Sequence, residues 1–204
     1  MDPTTTELFN NDILVDIITE QKQKEEAKDI WRESPYKDLV SLQANNSGNV
    51  GEKLIQKICK LTGISSSVDG SKTKKVGGGQ GDGLVNEKTV EIKTAHQGCT
   101  GSSFQHELGE KPWRSSYMTF VDISPQCIYL TIFENFNEAE YKSGKKCKRM
   151  FPTKTVTWRK QMGAFKLDTT VAINEKNVKD GNAIKITEAT PMSEIGDFIN
   201  RLIK

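Results

Sequence analysis

The sequence predicts a mixed α/β (α+β) domain, a central mixed β-sheet flanked by helices. Three observations lead there. Apolar residues recur at helical spacing near the start of the chain, again at 50–61, and again at its end. Between the second and third stretches, short runs rich in Val, Ile, Phe, Tyr and Thr are separated by Gly, Pro and Asn. The 204 residues suffice for one ordinary core, and no internal repeat or clear linker divides them. The chain therefore reads as a single domain over 1–204, with a helical region at 1–44, a core at 45–135, and a basic strand region with a closing helix at 136–204.

The elements follow in order. Residues 5–32 read as a helix whose apolar stripe is Leu8, Ile13, Leu14, Ile17 and Ile18, extended by a charged run as far as Trp31 and broken by Pro35. A second helix carries Val50, Leu54, Ile55, Ile58 and Leu61, with Asn49 as its expected N-cap and Gly63 as its stop. A polar, glycine-rich connection leads into a hairpin with arms at 81–85 and 88–94. Residues 95–117 read as an irregular excursion with at most a short helical turn. Strands are expected at 118–123 and 127–133 around the turn Ser124–Gln126, and further on in "TVTWRK" and "AFKLDTTVAI". Ile195, Phe198, Ile199, Leu202 and Ile203 mark the apolar face of a last helix.

Composition narrows the functional classes. No apolar run approaches the roughly 18 residues of a membrane span, and the N-terminus has no basic-then-apolar leader. Cys59, Cys99, Cys127 and Cys147 are scattered, with no CxxC pair, so reduced thiols and an intracellular (cytoplasmic) setting are expected. Net charge is only +2, yet residues 1–40 hold ten acids against five bases. The stretch 142–160 holds eight Lys or Arg and no acid. That asymmetry points to a polyanionic partner, with Lys145, Lys146, Lys148, Arg149, Lys154 and Arg159 as phosphate contacts; a solvated loop and strand is the plain alternative.

The hairpin carries the chemistry. In "GDGLVNEKTVEIKT", a turn centred on Asn86 and Glu87 sets Val85 opposite Lys88, Gly83 opposite Val90 and Asp82 opposite Glu91. Alternation then brings Lys93 to the side of Asp82 and Glu91, and turns Val85, Val90 and Ile92 toward the core. Two opposed carboxylates repel unless one is protonated or both meet a cation. Oxygen donors without His or Cys suit a hard ion such as Mg²⁺, which takes one or two carboxylates and completes its shell with water and substrate phosphate. Such an ion acidifies water and neutralises charge on an attacked phosphate. The alternative is a surface hairpin in which Lys93 relieves the acids. Acid-x-Lys occurs four times in the chain, and only Glu91-Ile92-Lys93 follows an aspartate in a strand–turn–strand setting.

These residues resemble the core motif of the PD-(D/E)xK nuclease superfamily: Asp82 matches the first acid, Glu91 the second and Lys93 the lysine. Ile92 is the apolar residue between the last two, and the resemblance implies its carbonyl as a further metal contact. Glu52, on the helix before the hairpin, matches an additional glutamate that members often carry, although a capping box with Asn49 would also explain it. Gly81 stands where proline is common. The resemblance covers roughly 45–135. It implies a restriction-endonuclease-like core and a Mg²⁺-dependent enzyme cutting double-stranded DNA, with Asp82, Glu91 and Glu52 at the metal. Among such nucleases the chain is most similar to type II restriction endonucleases, which implies a homodimer, a short specific site and a cognate DNA methyltransferase. A structure-selective nuclease (junction resolvase, repair or homing endonuclease) and a DNA-binding module on a decayed nuclease fold stay open.

Other features lead to weaker readings. His96 and Gln97, just past the hairpin's second strand, are expected near DNA, or else form an ordinary polar loop. His96, Cys99 and His106 match no zinc spacing. "GGGQG" lacks the Lys-Ser/Thr and the helix of a phosphate loop.

Overall fold

The computed structural model describes residues 11–68, 81–101, 103–109, 115–134, 157–159 and 164–204. They form a six-stranded sheet in the order β1-β2-β3-β5-β6-β9 and a three-stranded sheet in the order β4-β8-β7. In the first, β1 (Ser66–Val68), β2 (Gly83–Val85) and β3 (Lys88–His96) are antiparallel neighbours. β3 then runs parallel to β5 (Tyr117–Ile123), and β6 (Ile128–Glu134) and β9 (Ala183–Ile186) continue antiparallel. The second sheet joins β4 (Phe104–Gly109), β8 (Ala164–Thr169) and β7 (Thr157–Arg159). The mixed central sheet with helices is the expected α+β class.

Side-chain alternation splits the central sheet into two faces. Val90, Ile92, Val121, Leu130 and Ile184 pack with Ile55 and Ile58 of α2 (Ala44–Thr62). Ile195, Phe198, Ile199 and Ile203, on or just past α4 (Met192–Leu202), join the same core. The opposite face takes the second sheet and α3 (Val171–Lys179): Phe104 of β4 packs with Ala95 and Tyr129 there, and Val178 of α3 joins them. The hairpin, α2 and β4 thus meet around β3.

Several expectations are corrected. The described part of the first helix is α1 (Asn11–Glu26), Leu8 and the rest of 5–10 lying outside the described residues, and Ile13, Leu14, Ile17 and Ile18 are more than half exposed. It stops short of Trp31 because the Asp29 carboxylate accepts from the Trp31 backbone N–H at 2.9 Å, a local turn that competes with the helix. Trp31 instead enters the core, its Nε1 donating to the Gln97 carbonyl at 3.0 Å. The second helix begins five residues before Asn49, with Gln43 as N-cap, while Gly63 closes it at φ 74° as expected. Leu61 is exposed. Part of the excursion 95–117 is a strand, β4. The run "AFKLDTTVAI" divides, because the Thr170 hydroxyl accepts from the Ile173 N–H and starts α3. The final helix keeps the expected buried face.

Candidate functional site

The hairpin has the register that the sequence predicts. Val85 pairs with Lys88, Leu84 with Thr89 and Gly83 with Val90. Asn86 and Glu87 turn the chain at φ 48° and 62°, the left-handed pair of a type I′ turn. The Asn86 side chain donates to the Ile203 carbonyl at 3.1 Å and to Asn200 Oδ1 at 3.0 Å, fastening the turn to the end of α4.

Just beyond this register the ladder changes partner. The Asp82 N–H still donates to the Val90 carbonyl at 2.7 Å. The Ile92 N–H, which a longer β2 would pair with a carbonyl, donates instead to Asp82 Oδ2 at 2.7 Å. The aspartate side chain thereby ends the β2–β3 ladder. The N–H and C=O of one strand residue face the same neighbour, so the Ile92 carbonyl also faces this edge. Gly81 is required here: at φ 91° its Cβ would stand 2.2 Å from the Val90 carbonyl oxygen. Proline, locked near φ −65°, is excluded from that position, which accounts for the departure from the common motif.

Along this edge of β3 lies an open cleft of about 780 Å³. The hairpin contributes Asp82, Ile92, Lys93 and Thr94. The first half of α2 forms one wall through Asn45, Gly48, Asn49 and Glu52. Gln105, His106 and Glu107 of β4, with Lys166 of β8, form another. α2 lies very close to β3: a Cβ on Gly51 would come within 1.9 Å of Thr94 Oγ1, so only glycine lets the helix set Glu52 beside the hairpin.

Glu52, Asp82 and Glu91 are all buried, at 6–7% exposure. Lys93 Nζ stands 2.8 Å from Glu91 Oε1. Buried carboxylates carry a heavy desolvation cost, and Lys93 supplies countercharge to one of them. Among the described residues no three His, Cys, Asp or Glu side chains group tightly enough to hold a metal alone. Mg²⁺ makes a smaller demand, one or two carboxylates and a carbonyl, with water and phosphate for the rest. Asp82 and Ile92 border the cleft and offer oxygen donors of the kind that demand asks for, whereas Glu91 pairs with Lys93 and is not among the lining residues. Glu52 sits mid-helix, with Gln43 as cap, so a capping box does not explain it.

The remaining site expectations separate. His96 sits edge-on to Trp31, with centroids 5.8 Å apart, and its Nδ1 is 2.9 Å from the Gln97 carbonyl. Gln97 is buried, and its carbonyl receives the Trp31 indole. Neither residue lines the cleft. Arg159 lies on β7, paired with Ala164, at the edge of the second sheet. Lys145, Lys146, Lys148, Arg149 and Lys154 lie outside the described residues.

The wall built from Gln105, His106, Glu107 and Lys166 has no counterpart in the sequence reading. The available signal was the alternation of "FQHEL", where Phe104, His106 and Leu108 are buried and Gln105 and Glu107 exposed. His106 Nε2 meets Asp122 Oδ1 at 2.6 Å, while its buried Nδ1 makes no hydrogen bond. No protein-family model, curated protein or solved structure matches this chain.

Proposed function

We propose that the chain is a Mg²⁺-dependent endonuclease that hydrolyses phosphodiester bonds of double-stranded DNA at a short specific sequence, in the manner of a type II restriction endonuclease. One observation carries the reading. The hairpin ladder ends on the Asp82 side chain, which accepts from the Ile92 N–H; Asp82, Lys93 and Glu52 border one cleft, and Lys93 pairs with Glu91. Asp82, Glu91 and the Ile92 carbonyl would hold the ion, assisted by Glu52. The ion would acidify water and neutralise charge on the attacked phosphate. Lys93, anchored by Glu91, orients the attacking water or contacts a phosphate oxygen. In-line attack at phosphorus then leaves a 5′-phosphate and a 3′-hydroxyl. A second copy of the chain would bring a second site to the opposite strand, and a methyltransferase of the same specificity would protect the host.

The test is incubation with unmethylated phage DNA and Mg²⁺, beside an EDTA control and Glu91→Ala, read on a gel. Discrete metal-dependent fragments, absent with Glu91→Ala, are expected. A Glu91→Ala protein that cuts at the wild-type rate would sink the assignment.

A further inference from the structure

α2 carries two glycines three residues apart, and the fold itself accounts for only one of them. Gly51 is forced by Thr94. A Cβ on Gly48 would meet nothing within 4 Å, so nothing among the described residues bars alanine there. Glycine inside a helix costs stability relative to alanine. Gly48 also borders the cleft, between Asn45 and Asn49, which are exposed and one turn apart on a single helix face. Glu52 lies on that face one turn further in.

We infer that the Asn45–Gly48–Asn49 face of α2 is the surface on which the nuclease substrate lies, with Gly48 admitting a DNA strand against the helix backbone and the two amides reading base edges. This rests on the nuclease reading above. Asparagine amides carry both donor and acceptor, the pattern that pairs with adenine in the major groove. Four residues of helix rise about 6 Å, close to two base steps of about 3.4 Å each. The facing wall is polar as well: Lys166 Nζ donates to Gln105 Oε1 at 2.8 Å, leaving the Gln105 amide NH₂ toward the partner and Lys166 as a phosphate contact. Small-molecule pockets are mostly apolar. This cleft is bordered by amides, carboxylates and lysines, which suits a charged, hydrogen-bonding strand.

The test compares Gly48→Ala, Gly48→Leu, Asn49→Ala and the wild-type chain. Each is melted, and its affinity measured in Ca²⁺ for the duplex the wild type cuts and for an unrelated duplex. Gly48→Ala is expected to melt about 2–4 °C higher, the gain of a helical alanine in a chain of this size, yet to bind cognate DNA more weakly. Gly48→Leu should bind weaker still. Asn49→Ala should lose about tenfold in preference for the cognate duplex, the worth of one base contact. A wild type that cuts DNA beside Gly48→Leu and Asn49→Ala proteins that fold, bind and cut equally well overturns this inference and leaves the nuclease reading standing. A wild type that neither binds nor cuts duplex DNA overturns both.

Discussion

Two sets of buried carboxylates lie on neighbouring parts of this fold, and their surroundings differ in kind. Asp122, on the face of β5 that meets the second sheet, is 1% exposed. It accepts from Thr169 Oγ1 and from Asn174 Nδ2, each at 2.7 Å, and meets His106 Nε2 at 2.6 Å. These donors come from β8, α3 and β4, so one carboxylate fastens the second sheet and α3 to the central sheet. At the cleft the arrangement differs: Glu52 and Asp82 line it, Asp82 accepting from the Ile92 N–H, while Glu91 is not among the lining residues and pairs with Lys93. A carboxylate held for stability collects donors. On the reading proposed above, the carboxylates at the cleft would instead collect a cation.

Substitution separates the two sets most sharply in opposite readouts. Lys93→Ala should lower the cleavage rate by about 10²–10⁴-fold, the usual worth of a positioned proton-transfer or water-orienting group. Glu91→Ala should lower it at least as far while melting close to the wild type, since Lys93 is partly exposed; Lys93→Ala takes the countercharge from a buried Glu91 and should melt lower. Asp122→Ala should leave three donors in the interior facing nothing, at a cost of about 3 kcal/mol. That corresponds to melting lower by about 6–12 °C for a chain of this size. Calorimetry of the three variants beside a cleavage assay checks the contrast. An Asp122→Ala protein that melts with the wild type would remove the structural role claimed for that carboxylate.

Local order made the hairpin legible. Its register depends on two turn residues and on alternation over a few positions; the expected pairing of Asp82 with Glu91 lies beyond it, where Asp82 accepts from the Ile92 N–H instead. Gly63 and the buried face of α4 were legible for the same reason. What escaped depends on distant partners. β4 is recognisable as a strand only once β8 pairs with it, although Phe104 and Thr169 are far apart in sequence. The cleft wall was therefore invisible, and His106 drew notice only as a zinc candidate. Asn49 was an equally sound N-cap by residue type, but the helix extends back to Ala44 because nothing in "ANNSG" forbids it and the packing of Gly51 on β3 favours it. His96 and Gln97 were placed near DNA, or else in a polar loop, by their position after the strand; in the fold His96 stands edge-on to Trp31 and the Gln97 carbonyl accepts from the Trp31 indole.

The smallest expected effect concerns a further carboxylate, which serves as a control between the two sets. Glu175 of α3 accepts from Lys185 Nζ at 2.8 Å and from the Tyr129 hydroxyl at 2.6 Å. Those hydrogen bonds, Lys185 first, hold its carboxyl below the usual carboxylate range, while burial and the same carboxylate push Tyr129 up. A depressed carboxyl stabilises the fold above the ordinary value of 4.5, and the contribution disappears as pH falls through the lowered one. Glu175 is 39% exposed in its pair with Lys185, so water screens the interaction and the contribution is modest, below about 1 kcal/mol. The wild type should therefore lose slightly more melting temperature than Glu175→Gln as pH falls from about 6 to about 3, from above the ordinary carboxylate value into the lowered range, with cleavage at neutral pH unchanged. Equal losses in the two proteins would mean that the pair is a surface contact without thermodynamic weight, and that among these carboxylates only Asp122 is held for stability.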